Sequence, residues 1–585
     1  MSAAMTPWPA YEWKDIDWRA IDCRVFKLQK RIYQASRRGD AKTVHTLQRL
    51  LMTSWSAKCL AVRKVTQDNR GKRTAGVDGM KSLSPADRLR LVSVLRIDAT
   101  PKPTRRVWIP KPGSPTEKRA LGIPVLHDRA AQALVTLALE PEWEGHFEPN
   151  SYGFRPGRAA HDAREAIFNT IRYKAKYVLD ADIAKCFDRI NHDALLKKLN
   201  TFPALRRVIR GWLKAGVMDG PDLFPTPEGT PQGGGASPLL ANIALHGLET
   251  DIRASFPRSV TRQGETMQEW QPIVIRYADD FVILHRDRGV IEEAQQRTAL
   301  WLTGMGLELK PSKTCITHTL VPTEEGNVGF DFLGWHVRQH PVGRYHTGKN
   351  SHGHPLGFKT IITPSKDAQK KHRESLAALI RVKRAAPQAD LITHLNRRIR
   401  GWVNYHAASV SKKVFNRMDH LLFIKLWSWA KRRHSNKTAQ WVAEKYWHRN
   451  SSGHWDFHTK GGAHLYIHTG KAITRHAKVT GAKSPYDGDW VYWATRLGRH
   501  PQLPAEVAFL LRKQHGRCAW CGLYFTPGDR RERDHMSPKR RRLDGGTHEK
   551  QLLHGHCHDA KTARDGSSAR GATDKMMSAT AALTM

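Results

Sequence analysis

Apolar residues near the start of the chain recur at steps of three and four, which is the spacing of one face of a helix. The repeat runs through Trp18, Ile21, Val25, Leu28 and Ile32, and the opposite face of this segment is basic. The pattern ends near an Arg-Gly-Asp sequence, and glycine commonly follows the last helical turn. The sequence therefore predicts a helical N-terminal segment.

The pattern of apolar and polar positions changes twice farther along the chain. A short basic strand is predicted at 105–111, and from about 120 to 345 strand-like runs alternate with helical ones. Two predicted strands in this region each lead into an acidic turn. From 365 to 449 the period is helical, with 20 Lys and Arg against 5 Asp and Glu. We expect a mixed α/β or α+β region followed by a basic helical module.

Charge narrows the class of partner. The chain has 96 Lys and Arg against 54 Asp and Glu, a net charge of +42. This excess favours a polyanion, above all nucleic acid, because each cation on a phosphate releases a bound counterion. The alternative, an anionic membrane surface, needs an amphipathic basic helix or a lipidation signal, and neither stands out. Since no apolar run approaches the roughly 18 to 20 residues of a membrane span and no signal peptide is evident, we expect a cytosolic protein.

The two acidic turns are the first chemical signal. Asp182 closes one apolar strand, and Asp279 and Asp280 are adjacent in a tight turn after another. Like charges repel, so adjacent aspartates are a costly way to make a turn unless cations bind them. Two Mg²⁺ ions roughly 4 Å apart, bridged by carboxylates, stabilise the attacking and leaving oxygens of phosphoryl transfer. The pattern therefore favours nucleotidyl transfer.

An ordered series of motifs surrounds these turns. The motifs are RVWIPK at 106–111, RALGIP at 119–124, SYGFRPGR at 151–158, the Asp182 segment, GTPQGGGASPLL at 229–240, YADD at 277–280, LELKPSKT at 307–314, FLG at 332–334 and RGWVNY at 400–405. In this order they resemble the group II intron-encoded reverse transcriptase/maturase family, over roughly residues 20–560. The resemblance implies a multidomain α+β protein, a right-hand polymerase with fingers, palm and a helical thumb.

The resemblance implies a metal site and a sugar-selecting residue. Asp182, Asp279 and Asp280 would hold two Mg²⁺ ions, with the backbone carbonyls of Ala181 and Ile183 as further ligands. A bulky aromatic at position 187 matches the residue that excludes a ribose 2′-hydroxyl, so we expect this role for Phe187. The alternative for Phe187 is a packing role in the core.

The resemblance also implies residues that bind the incoming deoxyribonucleoside triphosphate. Lys111 and Arg119 would contact the triphosphate from the fingers. Gln232 and Gly233 would pack on the templating base pair, where only glycine permits close backbone approach. Lys313 would act near the leaving pyrophosphate. Ala stands at position 120, where the family usually has Pro. We expect this change to make the backbone less rigid, with less effect on the charge of the site.

The basic helical module resembles the thumb and maturase region of the family. Its cations and aromatic residues are interleaved, as expected of a surface that binds nucleic acid. We expect Arg397, Arg398, Arg400 and Trp402 to contact the intron RNA that encodes the protein. The alternative is a solvated helix surface, which such one-sided charge disfavours.

Cysteines gather at the C-terminal end of the chain. Of 7 cysteines, four are scattered, whereas Cys518, Cys521 and Cys557 lie close together in the sequence. With His554 they make a Cys-x-x-Cys and His-x-x-Cys set at the spacing of a tetrahedral structural Zn²⁺ site. The alternative, free cysteines in a small core, is disfavoured by how little apolar material this unit contains.

Between these ligand pairs the sequence resembles an HNH endonuclease of the ββα-metal type. The resemblance implies that Asp534 and His558 hold one Mg²⁺ or Mn²⁺ ion at the scissile phosphate. His535 would be the general base, because an imidazole titrates near neutral pH. Glu549 stands where the family has its central Asn, so the zinc fold is better supported than cleavage.

Together these features predict a bacterial, cytoplasmic protein that associates with the nucleoid when bound to DNA. We expect an RNA-directed DNA polymerase, splicing maturase and DNA endonuclease with intron RNA, target DNA and deoxyribonucleoside triphosphates as partners. One alternative is a maturase with a vestigial polymerase and an inactive nuclease. Another is a retron-like or immune reverse transcriptase. The predicted domains are an RNA-binding helical extension (1–70), fingers and palm (71–345), thumb (346–449), a DNA-binding linker (450–500), an HNH domain (501–562) and a disordered tail (563–585).

Overall fold

The structure is a computed structural model. It describes residues 12–97, 100–110, 117–262, 265–324, 326–343, 345–449, 455–536 and 549–565. Within these ranges, no helix is long and apolar enough to cross a membrane.

Helices and strands alternate through the first two thirds of the chain, and helices dominate the next part. The helices are α1 (Trp18–Arg37), α2 (Ala41–Thr53), α3 (Trp55–Arg63), α4 (Pro85–Val94), α5 (Leu126–Glu144), α6 (Ala160–Ile171), α7 (Cys186–Arg189), α8 (His192–Leu199), α9 (Pro203–Lys214), α10 (Ser237–Leu245), α11 (Leu248–Ala254), α12 (Arg288–Thr303), α13 (Lys366–Val382), α14 (Gln388–His406), α15 (Lys412–Arg433), α16 (Ala439–Tyr446), α17 (Trp490–Leu497), α18 (Ala505–Lys513) and α19 (Gly555–Arg564). The strands are β1 (Thr104–Pro110), β2 (Lys118–Ile123), β3 (Tyr177–Asp182), β4 (Val217–Asp219), β5 (Asp222–Phe224), β6 (Ser259–Arg262), β7 (Glu265–Gln268), β8 (Ile273–Tyr277), β9 (Asp280–His285), β10 (Cys315–His318), β11 (Phe330–Phe332), β12 (Trp335–Pro341), β13 (Phe358–Pro364), β14 (Trp447–Arg449), β15 (Trp455–Phe457), β16 (Arg531–His535) and β17 (Lys550–His554).

The predicted N-terminal helix is confirmed as α1. It begins where the Asp17 carboxylate accepts a hydrogen bond from the Ala20 amide at 3.0 Å, which satisfies a donor of the first turn. Ile21, Val25 and Ile32 are buried, in the same apolar core as residues of α5. The periodic face of the sequence is therefore the face that packs into the main apolar core.

The fingers and the palm are built on separate sheets. The fingers sheet has the strand order β2-β1-β4-β5, and the palm sheet has the order β10-β3-β9-β8. Strand β3 pairs antiparallel with both β9 and β10, and its Val178, Leu179 and Ala181 side chains are buried. The strands predicted before the two acidic turns are confirmed as β3 and β8, and they share one sheet with β9 between them.

The predicted boundary between palm and thumb at 345/346 differs from the structure. Strands β12 and β13 pair as a hairpin, with Trp335 opposite Pro364, so the boundary cuts through this hairpin. Ile362 of β13 is buried in one cluster with Trp335 and with residues of the palm sheet. Because this core continues to the end of β13, the palm ends near residue 364. The thumb core then forms from α13 to α16.

The predicted linker at 450–500 also differs from the structure, because it packs in two places. Phe457 of β15 is buried in the thumb core. Farther on, the Asp162 carboxylate of α6 accepts hydrogen bonds from His476 at 3.0 Å and from Arg496 at 2.6 Å. Tyr486 packs against aromatic residues of α1. This segment therefore joins the thumb to the palm rather than separating folded units.

The C-terminal unit begins earlier and ends later than predicted. Residues of α17 share a small apolar core with α18, β17 and α19, so the unit starts near residue 490 rather than 501. It closes with the antiparallel pair β16 and β17, followed by α19. Helix α19 extends to Arg564, beyond the predicted start of the tail at 563. The rest of the predicted tail, from 566, lies outside the described residues.

Candidate active site and metal centre

The three predicted metal-binding aspartates meet in one cleft. The pairing of β3 with β9 sets Asp182 opposite Asp280, and Asp279 lies in the turn that joins β8 to β9. All three line a cleft of about 1350 Å³ between fingers, palm and thumb. The sequence prediction that two separate acidic segments converge is therefore confirmed by the sheet register.

The electrostatics of this cleft favour cation binding. Burial, together with the nearby charges of Asp279 and Asp182, raises the pKa of Asp280 to about 6. Burial also raises the pKa of Asp279. A cation relieves this repulsion, and the Lys313 ammonium already lies 2.8 Å from a carboxylate oxygen of Asp182. The donor set of three carboxylates fits divalent ions that prefer oxygen ligands.

A further carboxyl group, that of Asp180, lies near the three predicted metal-binding aspartates. Asp180 is two residues before Asp182 on β3, so both side chains point to the same face of the sheet. Burial, together with the charges of Asp280 and Asp331, raises the pKa of Asp180 to about 7. Asp180 was not among the predicted ligands, although the period of two along a strand was a signal for it.

Buried groups hold the turn that carries Asp279. Ala278 has a φ of 59°, a conformation that L residues rarely adopt. The buried Arg276 guanidinium donates a hydrogen bond to the Ala278 carbonyl at 3.1 Å and another to the Asn242 side chain at 3.2 Å. A Cβ atom on Gly153 would lie 2.3 Å from the Ala278 nitrogen, so only glycine fits there. Sequence reasoning missed Arg276 because its role depends on contacts far apart in the chain.

Several predicted nucleotide-binding residues lie on elements that are joined by hydrogen bonds and close backbone contacts. Phe187 is on the short helix α7 and lines the cleft. The Gln232 side-chain amide donates to the Asp188 carboxylate at 3.2 Å, and the Gln232 carbonyl accepts from the Gly122 amide at 2.7 Å. Gly233, with a φ of 113°, passes so close to Gly122 that a Cβ would lie 2.9 Å from its carbonyl oxygen. The loop is thus fixed between α7 and the fingers.

The remaining predicted residues of the cleft are placed as follows. Arg119 is exposed on β2 and lines the cleft, opposite Ile109 of β1. Ile183 also lines the cleft, and its backbone bridges to Leu309. Lys111 lies outside the described residues.

In the thumb, the predicted arginines are exposed and the tryptophan is half-buried. Arg397, Arg398 and Arg400 are exposed on α14. Arg398 donates to the Ser375 hydroxyl at 2.8 Å, so part of its role is to join α13 and α14. Trp402 is stacked on His372, with ring centroids 4.4 Å apart and planes 4° apart. Trp402 is half-buried and packs partly against the thumb core, and its contact with RNA stays a prediction.

The four predicted zinc ligands form one cluster. The donor atoms of Cys518, Cys521, His554 and Cys557 all lie within 4.8 Å of one another. Burial raises the pKa of the Cys518 thiol, but hydrogen bonds from three backbone amides outweigh this and lower it to about 7. The second ring nitrogen of His554 is 3.5 Å from the Asp529 carboxylate, which orients the imidazole. This donor set is compatible with a tetrahedral zinc ion.

The residues predicted for the nuclease site lie on or near the hairpin of β16 and β17, and Asp534 already has partners within the protein. The Asp534 carboxylate accepts from the Gln551 amide at 2.8 Å and lies 3.0 Å from the Lys561 ammonium. The Nδ1 atom of His558 is buried and makes no hydrogen bond within the described residues. Asp534, His535 and His558 do not form a metal-ligating group of three in the part of the chain that the structure describes.

Glu549 is the residue that the sequence resemblance places at the family's central Asn. The Glu549 carboxylate is 3.5 Å from the Lys513 ammonium and is largely exposed. An ionised carboxylate accepts hydrogen bonds but cannot donate them, whereas an Asn amide does both. The Glu549 side chain can therefore accept hydrogen bonds but cannot donate one as an Asn side chain would.

Comparison with protein families assigns most of the chain. Residues 109–337 match the family described as reverse transcriptase (RNA-dependent DNA polymerase). Residues 13–95 match the N-terminal domain of reverse transcriptase, and residues 369–447 match the group II intron maturase-specific domain. The matched segments coincide with the N-terminal helices, the fingers and palm, and the thumb described above.

Individual relatives agree with these matches. Protein YkfC of Escherichia coli (strain K12) is 33% identical over 328 residues, covering 49% of this chain and 82% of YkfC. Group II intron-encoded protein LtrA of Lactococcus lactis subsp. cremoris is 27% identical over 493 residues, covering 72% of this chain and 78% of LtrA. Maturase-like protein 1 of Euglena gracilis is 28% identical over 335 residues, covering 55% of this chain and 64% of that protein. The chain belongs to the group II intron-encoded reverse transcriptase/maturase family.

Proposed function

We propose that this protein synthesises DNA on an RNA template at Asp182, Asp279 and Asp280 and binds its own intron RNA through the thumb. The observation that carries the proposal is the meeting of these carboxylates in a cleft that also contains Arg119 and Lys313. A protein that only binds RNA gains nothing from three repelling carboxylates among cations. The sheet and the turn that hold them are rigid, as a catalytic site requires.

The three carboxylates would hold two Mg²⁺ ions, with the Ile183 carbonyl as a further ligand. When bound, such ions stabilise the negative charge on the attacking and leaving oxygens. Arg119, together with Lys111, would hold the triphosphate of the incoming nucleotide by charge. Lys313 pairs with Asp182 in this structure, and it would turn to the pyrophosphate as that group leaves.

The nucleotide sugar and base would be selected by packing. Phe187 lines the cleft close to the aspartates, where its ring would leave no room for a 2′-hydroxyl. Gln232 and Gly233 would form the flat backbone surface under the templating pair. The contact of this loop with Gly122 supports the idea that fingers and palm define the nucleotide pocket together.

An experiment with two readouts separates polymerase from maturase. Asp279→Asn should abolish Mg²⁺-dependent DNA synthesis on an RNA template, because one metal ligand loses its charge. The same variant should leave splicing of the intron RNA close to wild type, since splicing depends on the thumb. Asp193→Asn, an exposed aspartate paired with Arg210, is the matched control. Wild-type DNA synthesis by Asp279→Asn would reject the polymerase site, and wild-type protein without DNA synthesis would favour the maturase-only alternative.

The C-terminal unit supports a second activity, cleavage of target DNA. The succession of β16, β17 and α19 and the Cys/His cluster support an HNH unit with a structural Zn²⁺ ion. Asp534 and His558 would hold one Mg²⁺ or Mn²⁺ ion, and His535 would remove the proton from the attacking water. For this, the Lys561 ammonium must first leave the Asp534 carboxylate.

Nicking of a target duplex by the protein assembled with intron RNA tests this activity. His535→Ala should abolish nicking while zinc content stays unchanged. Glu549→Asn restores an amide that can donate a hydrogen bond, so it should increase nicking. If wild-type protein and Glu549→Asn both leave the duplex intact, the unit is a zinc-stabilised DNA-binding module.

A further inference from the structure

Phe154 stands out on two independent grounds. Its side chain is 52% exposed, although large apolar rings are normally buried. Its backbone has a φ of 59°, which is a strained conformation for a bulky L residue. Both features cost folding free energy, and neither is repaid by burial of the ring. Such outliers are retained where the surrounding structure enforces them, and they cluster at functional sites.

The residues on both sides of Phe154 enforce this conformation. The Arg155 guanidinium is buried in an ion pair with Glu144, with an N–O distance of 2.7 Å. It also donates to two backbone carbonyls earlier in the same loop. On the other side, the Gly153 carbonyl accepts a hydrogen bond from the Asn242 side chain at 2.8 Å. The backbone before and after Phe154 is thus fixed, and the ring is presented at a defined place.

That place is the polymerase cleft. The Phe154 ring lines the cleft together with Phe187 and the aspartates. The two phenylalanine rings meet edge to face, with centroids 6.1 Å apart and planes 79° apart. This is a favourable geometry for an aromatic pair. Phe154 therefore contacts the very ring that the proposed function assigns to sugar selection.

We propose that Phe154 is a specificity-determining residue that positions Phe187 against the sugar of the incoming nucleotide. Phe187 is on a helix of four residues and packs only partly against the apolar core. With the Phe154 ring against it, the Phe187 ring cannot swing away to admit a 2′-hydroxyl. The inference rests on the proposed polymerase function and adds a second residue to its nucleotide pocket.

The test compares insertion of a deoxyribonucleotide with that of the matching ribonucleotide on an RNA template. For each variant, the ratio of the two kcat/KM values measures sugar discrimination. Phe154→Ala should lower this ratio by about 2- to 10-fold, the range that an aromatic pair contributes. Phe154→Tyr keeps the ring and should retain the wild-type ratio. Tyr173→Ala removes an exposed ring outside the cleft and should also leave the ratio unchanged.

A double variant shows whether Phe154 acts through Phe187. If it does, Phe154→Ala combined with Phe187→Ala should discriminate no worse than Phe187→Ala alone. Thermal unfolding of each variant separates this effect from loss of structure, and Phe154→Leu replaces Phe154→Ala if the latter does not fold. Equal ratios in wild type and Phe154→Ala, or fully additive losses in the double variant, would overturn the proposal. Failure of wild-type protein to extend a primer would instead overturn the proposed function.

Discussion

Gly153→Ala is the substitution whose effect the structure defines most closely. A Cβ atom at this position would lie 2.3 Å from the Ala278 nitrogen and 2.9 Å from the Tyr277 carbonyl carbon. Ordinary Cβ contacts begin at 3.4 Å, and the obstacle is backbone rather than a flexible side chain. One of the two segments must therefore move by about 1 Å. The segment most affected is the turn that carries Asp279 and Asp280.

The size of the effect follows from this displacement. A misplacement of about 1 Å in a catalytic constellation costs roughly 10²-fold in rate. Overpacking of a tightly packed contact costs about 1–3 kcal/mol of stability, which a protein of this size can tolerate. We therefore expect Gly153→Ala to remain folded and to synthesise DNA about a hundred times more slowly.

The assay is single-turnover addition of one nucleotide to a primer on an RNA template. Thermal unfolding of the same samples monitors folding. Gly401→Ala is the matched control, because nothing lies within 4 Å of a Cβ there and the site is an exposed helical position. It should keep the wild-type rate and gain up to about 1 kcal/mol of stability. A wild-type rate for folded Gly153→Ala would refute the claim that this contact positions the aspartates.

Other predictions concern separate parts of the chain. Phe187→Ala should raise the incorporation of ribonucleotides relative to deoxyribonucleotides, and an unchanged preference in competition assays would return Phe187 to a packing role. Arg397→Gln should weaken RNA binding and reduce the slope of log affinity against log salt by about 0.7 to 0.9, whereas equal slopes would place the RNA elsewhere. Cys518→Ser should release zinc, measured by mass spectrometry, and unfold the C-terminal unit, because metal binding supplies folding energy in so small a core; retained zinc and structure would contradict this. Burial raises the pKa of Glu142 to about 7 from an ordinary value of 4.5, so its proton is held more tightly in the folded state and stability should fall as pH rises between these values. Chemical unfolding at pH 5 and pH 8 should show a smaller fall for Glu142→Gln, and identical falls would contradict the assignment.

The parts of the site that the sequence predicted are those encoded by local patterns. Apolar runs ending in Asp182 and in Asp279 identified two strands and their acidic ends, and the antiparallel register then brought them together. The cluster of three cysteines and one histidine followed from spacing alone, because two short Cys/His pairs at this spacing are specific to few structures. In both cases the residue type and its spacing carried the information.

Contacts between distant segments could not be predicted in this way. Asp162 accepts hydrogen bonds from His476 and Arg496, more than 300 residues away, and neither segment has a period that indicates the other. Arg276 adjoins a recognisable motif, yet only the fold shows that it supports the Ala278 carbonyl. The stacking of Trp402 on His372 is another such contact, because 30 residues separate the two rings and no period in the sequence pairs them.

The central claim is that Asp182, Asp279 and Asp280 form the site of DNA synthesis on RNA. The most direct test measures single-turnover DNA synthesis by Asp280→Asn over a range of Mg²⁺ concentrations, with Asp193→Asn as the control. We predict that Asp280→Asn binds the RNA template as tightly as wild type but incorporates no nucleotide at any Mg²⁺ concentration at which the control is fully active. Incorporation by Asp280→Asn at the wild-type rate and with the wild-type Mg²⁺ dependence would contradict the account.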